Sequence, residues 1–140
     1  MKDFMKKFLL CLTLAVSVCG FSACGNDDDN DGVGNAENLY GYWTLVKEVW
    51  YEDGEVDFDI YQPGETILCF KEDGTGYMRE EVWSEDFEYM LSGNQLTILL
   101  VDDEEFFRTK VSSLSATELV LVSEGYDGEY YKYEDYYVRY

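Results

Sequence analysis

Residues 66–100 read TILCFKEDGTGYMREEVWSEDFEYMLSGNQLTILL, and this stretch decides the fold class. Runs rich in Ile, Leu, Thr, Tyr and Phe are broken by the pairs Asp73-Gly74 and Gly93-Asn94. β-Branched and aromatic side chains suit a pleated sheet. Asp-Gly and Gly-Asn pairs accept the positive φ that a tight hairpin turn requires. The stretch therefore reads as consecutive hairpins, with predicted strands over 66–71, 75–82, 87–92 and 95–101.

The same pattern extends in both directions. Further runs at 42–51, 55–61, 106–112, 118–123 and 129–140 are separated by Asp53-Gly54, Pro63-Gly64, Asp102-Asp103 and Asp127-Gly128. Beyond the N-terminal segment, no window of a dozen residues carries a sustained helical period. Eight or nine short strands at about ten-residue spacing predict a sandwich or an up-and-down barrel. Closure into a barrel removes the open edges that so many hairpins create. The expected fold is all-β: a small antiparallel up-and-down barrel of about eight strands over residues 39–140.

Five pieces of this region, in order, resemble the lipocalin-like family. They are Leu39-Tyr40-Gly41-Tyr42-Trp43, with the G-x-W opening strand; Phe70 to Gly76, with an F-x-x-D-G-T hairpin; and Tyr89 to Ile98, with a tyrosine, Gly-Asn and leucine hairpin. Leu114 to Leu121 is similar to an L-S-x-x-E-L-x-L strand, and the chain closes on Val138-Arg139-Tyr140. The resemblance implies a lipocalin-like barrel in which Trp43 and Arg139 stack at the closed end, a structural role. No helix like the one beside the barrel of larger lipocalins is legible, which implies a minimal form.

The N-terminus reads as an address. Lys2, Lys6 and Lys7 precede an apolar run, residues 8–18, and then Phe21-Ser22-Ala23-Cys24. The run is too short for a comfortable membrane span. The segment resembles a bacterial lipoprotein signal (residues 1–23) cleaved before Cys24, which would carry lipid. Cys19 is the rival anchor, but Val18 fits the cleavage position less well than Ala23; an ordinary secretory signal cut near Ala23 is the other reading. Residues 24–38 hold little to bury and are expected to form an acidic flexible tether. An acidic stretch after the lipidated cysteine resembles the surface-export signal of some Gram-negative lipoproteins. The expected location is therefore the outer membrane, lipid-anchored and surface-exposed.

Composition narrows the chemistry. The 140 residues include 30 acidic and 10 basic side chains and no histidine, for a net charge of −20. Three lysines and one aspartate leave with the signal, so residues 24–140 keep 7 basic and 29 acidic groups, a net of −22. Such a surface does not suit nucleic acid, which needs cations to displace its counterions. The missing histidine removes the Ser-His-Asp triad and the His-ligated metal sites. Cys69 is the one thiol left in the domain; between Leu68 and Phe70 it reads as a small buried hydrophobe, and only Lys71 is near to activate it. Asp27, Asp29, Asp31 and Gly32 begin like a calcium loop, but its twelfth position is Asn38, and the site is not completed. The clusters Glu80-Glu81, Glu85-Asp86 and Asp102-Asp103-Glu104-Glu105 read as a solvated, repulsive surface. No enzyme, cofactor or metal is expected.

The excess lies in the aromatics, 17% of the chain. In the last run Tyr131, Tyr133 and Tyr137 share one face, and Tyr130, Tyr136 and Tyr140 the other. One set fills the core; the other is exposed, packed on a neighbour or used. Trp50, Tyr51, Trp83 and Phe87 extend such a patch, whose alternative is extra packing on a small barrel. The candidate ligand-binding residues are Trp50, Trp83, Tyr131, Tyr133 and Tyr137. Two functions stand: a binding module holding a small apolar or glycan ligand in the barrel mouth or on the aromatic face, or an accessory lipoprotein whose acidic face docks a partner protein, its barrel filled.

Overall fold

The computed structural model describes residues 35–102 and 105–140. A 3-10 turn, Ala36–Leu39, leads into nine strands: β1 Gly41–Glu52, β2 Glu55–Ile60, β3 Thr66–Phe70, β4 Thr75–Glu80, β5 Trp83–Ser92, β6 Gln95–Leu100, β7 Phe106–Leu114, β8 Glu118–Tyr126 and β9 Tyr130–Arg139. Every strand pairing is antiparallel, and β9 returns to β1. Eight strands, β1 and β3 to β9, thus close a barrel, with β2 as an extra strand.

β1 organises the closure because it has three neighbours. One edge runs along β9 from Trp43↔Arg139 to Glu52↔Tyr131. The other edge is shared: Gly41 to Thr44 pair with β3, and Lys47 to Glu52 with β2. A register shift between Leu45 and Lys47 marks the handover, and such a bulge bends the strand. β2 ends the sheet order, and no described strand pairs with its far edge.

Alternation does the rest. Trp43, Leu45, Phe70, Phe87, Leu96 and Leu119 are at most 1% exposed and meet in one inner cluster, each large side chain contributing roughly 1.5–3 kcal/mol by leaving water. The Asp73-Gly74 turn is held by Asp73, whose Oδ1 accepts from the Thr75 N–H at 3.0 Å and from its hydroxyl at 2.6 Å. Those bonds hold the Asp73 carboxyl below its ordinary range.

One end of the barrel is plugged. Leu39 is buried beneath the 3-10 turn, and the Trp43 indole donates to its carbonyl at 2.8 Å. The Arg139 guanidinium lies 3.8 Å from the Trp43 ring centroid and donates to Asn38 O and Tyr40 O, both at 2.6 Å, and to Ala116 O at 3.1 Å. Gly41, at φ +116°, lets the guanidinium in: a Cβ there would stand 2.7 Å from Arg139 Nη1. Residues 36–38, expected in the tether, instead belong to this plug.

The structure extends three predicted strands: β5 begins at Trp83, β7 runs to Leu114 and β8 to Tyr126. Glu85 and Asp86, expected at a strand end or loop, lie inside β5, and Glu85 is 5% exposed, so this acid is not part of the solvated surface.

Candidate functional site

The turns between β1 and β2, β4 and β5, and β8 and β9 rim the end opposite the Arg139 plug. Inward positions near that rim follow from register with the core residues. On β1 and β9, Leu45↔Tyr137, Glu48↔Asp135, Trp50↔Tyr133 and Glu52↔Tyr131 succeed one another toward the mouth. On β5, Trp83 and Glu85 share the parity of Phe87, which is in the core.

Four of the five candidate ligand residues therefore stand at inward positions near the mouth: Trp50, Tyr131 and Tyr133 on the β1–β9 wall and Trp83 on β5, all half-buried. The Tyr131 and Tyr133 rings are 5.8 Å apart, and the Tyr133 hydroxyl donates to Glu52. Tyr137 stands apart from them. It is 6% exposed, sits between Leu45 and Leu119 in the pairing, and belongs to the core cluster. Phe87, read as a possible extension of the patch, is core as well.

The opposite tyrosine face is not a bare platform. Tyr51 and Tyr136 reach the Glu134 carboxylate at 3.5 and 2.7 Å, and Lys132 pairs with it at 2.5 Å while lying 5.0 Å from the Tyr51 ring centroid. Lys47 stands 5.4 Å from the Tyr136 centroid and 5.5 Å from that of Phe58. The hydrogen bond it donates to Glu134, and then burial, push the Tyr136 hydroxyl up to about 12, while Lys132 and the tyrosine donors hold the Glu134 carboxyl low. Tyr130 and Tyr140 are exposed.

Sequence reasoning missed the acids inside the barrel. Glu48 and Asp135 are direct cross-strand partners, 5% and 6% exposed. The Tyr61 hydroxyl, where β2 hands over to β3, donates to Glu48 Oε2 at 2.9 Å, and burial and Glu48 together push that phenol up. Burial, then repulsion from Glu48, pushes the Asp135 carboxyl up to about 8. The available signal was parity: the spacing that groups Tyr131, Tyr133 and Tyr137 also takes in Asp135.

Cys69 is buried on β3 between Tyr42 and Tyr77, and burial pushes its thiol up, against thiolate chemistry. Among the described residues no group of three acids or thiols could hold a metal ion, and no helix is long and apolar enough to cross a membrane. Cys24, the signal over residues 1–23 and the Asp27 to Gly32 run lie outside the described residues.

No protein-family model matches the chain, and no curated protein matches it. Two solved structures share its fold. A lipocalin-like protein from Bacteroides uniformis superposes with a TM-score of 0.56 at 19% identity, covering 74% of this chain and 99% of that one. An uncharacterized protein from Bacteroides eggerthii gives 0.54 at 16% identity, covering 73% and 99%. At these identities the likeness concerns the fold: this chain folds as a lipocalin-like barrel with one added strand.

Proposed function

We propose that this chain is a binding module displayed on the outer membrane by lipid on Cys24, with a small apolar or glycan ligand held in the barrel mouth. One observation carries the reading: Trp50, Trp83, Tyr131 and Tyr133 stand at inward positions near the rim opposite the Arg139 plug. Such a wall offers area and hydroxyl tips at low entropic cost. The outer tyrosine face is the weaker candidate, because its own lysines and Glu134 already occupy it.

The test is titration of the purified protein with the neutral apolar dye N-phenyl-1-naphthylamine and with a panel of neutral oligosaccharides, alongside a Trp50→Ala/Trp83→Ala double variant. We expect saturable one-to-one binding of at least one probe, weakened about tenfold or more by removing both indoles. Absence of saturable binding would overturn the mouth reading. It would favour the second one, docking of a basic partner, which β2, last in the order of described strands, supports with Glu55, Asp57 and Asp59 alternating with exposed Val56, Phe58 and Ile60.

A further inference from the structure

β2 is the one described strand whose residues, Glu55 to Ile60, are all exposed. Its side chains divide by face. Glu55, Asp57 and Asp59 share the face of Glu52, Trp50 and Glu48 on β1, whereas Val56, Phe58 and Ile60 line up with Tyr51, Val49 and Lys47. Those three apolar side chains are 57% to 63% exposed, side by side on the outer surface. The backbone alternates too. Glu52 and Glu55 flank a two-residue turn and exchange both ladder bonds, so Glu55, Asp57 and Asp59 point their N–H and C=O groups at β1. Tyr61, next in that series, donates its N–H to Val46 O at 3.0 Å. Val56, Phe58 and Ile60 point theirs to the far edge, with which no described strand pairs. The Phe58 N–H, in the middle of that edge, donates at 2.9 Å to Oδ1 of the neighbouring Asp57. A backbone donor is thus held by an exposed side chain that an incoming strand can displace.

We propose that the far edge of β2 takes an extended segment of a partner protein as an added antiparallel strand, one in which lysine or arginine alternates with branched apolar residues. The segment's backbone bonds to the outward groups of Val56, Phe58 and Ile60. Its residues opposite Glu55, Asp57 and Asp59 then fall in non-hydrogen-bonded pairs, where side chains lie closest. Cations at those positions pair with the carboxylates, including Asp57 once it releases the Phe58 N–H. The apolar residues between them fall opposite Val56, Phe58 and Ile60 and cover them on the outer face. A neutral segment would displace Asp57 without offering it a countercharge. A second copy of β2 would set carboxylates against carboxylates. The chain's own run Asp27-Asp28-Asp29-Asn30-Asp31 carries the same sign as β2. The inference gives the docking of a basic partner its geometry and is independent of ligand binding in the mouth.

The test is fluorescence anisotropy of labelled peptides titrated with the purified full chain. The first peptide alternates lysine and valine over four pairs; the second has the same composition in two blocks, four lysines and then four valines. We expect saturable one-to-one binding of the alternating peptide, weakening as salt rises from about 0.05 to 0.5 M, and binding of the block peptide at least about fivefold weaker. N-methylation separates strand addition from plain charge attraction. Methyl groups on the valine amides, which face β2, should abolish binding, whereas methyl groups on the lysine amides, which face away, should leave it within about threefold. The double variant Asp57→Lys/Asp59→Lys should weaken the alternating peptide about tenfold or more, and Asp86→Lys/Glu88→Lys, the same charge change at exposed positions of β5, should weaken it less than about threefold. Equal binding of the block peptide, or indifference to valine methylation, overturns the inference, since charge alone then accounts for the attraction. No binding of the alternating peptide overturns it too, as does a dimer of the unmixed chain that the β2 double variant dissolves, which would give the edge to a second copy. Each of these results leaves the mouth reading standing, because the dye and oligosaccharide titration decides that separately.

Discussion

Asp135 shows what a single residue can decide. Burial, then Glu48, pushes its carboxyl from an ordinary 3.8 up to about 8, so between those limits the folded state binds the extra proton. Stability then falls as pH rises, by about 1.4 kcal/mol per pH unit for one fully coupled proton. The protein should be more stable near pH 5 than near pH 8, and Asp135→Asn should remove most of that slope and stabilise the fold at neutral pH. Chemical denaturation of both proteins across that range checks it; parallel slopes would show that the aspartate is ionised in the fold. The sequence could not single this residue out. One of 30 acids, it sits in a run otherwise read for its tyrosines, and only the pairing with Glu48 gives it a buried neighbour of its own charge.

At the level of elements, turns and strands were legible where glycine marked them and less so elsewhere. Asp53-Gly54, Asp73-Gly74, Gly93-Asn94 and Asp127-Gly128 all fall between consecutive strands, and Gly54, Gly74, Gly93 and Gly128 adopt positive φ. The β4–β5 turn is Glu81-Val82, with Glu81 at φ +23° and no glycine, so the sequence pattern starts this strand at Phe87, whereas β5 begins at Trp83. The acid at Glu85 deepened the error, because an inward carboxylate breaks the apolar alternation by which a strand is recognised. β4 carries a constraint of another kind. A Cβ on Gly76 would come within 2.2 Å of the Cys69 carbonyl oxygen and 2.4 Å of the Phe87 ring. Gly76→Ala should therefore separate β3 from β4 and cost about 1–3 kcal/mol, measurable as a lowered midpoint in urea. An unchanged midpoint would mean that the two strands shift apart freely.

For the whole molecule, charge and closure dominate. The described domain carries seven cations against a large excess of acids, and compacting them stores repulsion that salt screens. Raising ionic strength from about 0.01 to 0.5 M should raise the melting temperature, by about 4–8 °C for each kcal/mol of repulsion relieved. A flat response would mean that the acids are already spaced widely enough to ignore one another. The barrel itself was legible because hairpin follows hairpin. The three neighbours of β1 were not: Glu55 to Ile60 alternates like any wall strand, and nothing local shows that β3 takes over the edge below it.

The seam between β1 and β9 sets the order of events in time. Arg139 holds the carbonyl of Asn38 across 101 positions of sequence, and the strands beside it pair the start of the domain with its end. Contacts this distant form late and slowly, since the loop they close is nearly the whole described domain. Hairpins β4 to β8 can zip as they emerge, but the plug cannot be set until β9, which carries Arg139, is present. A growing or threading chain therefore stays open, and pliant, up to its final strand.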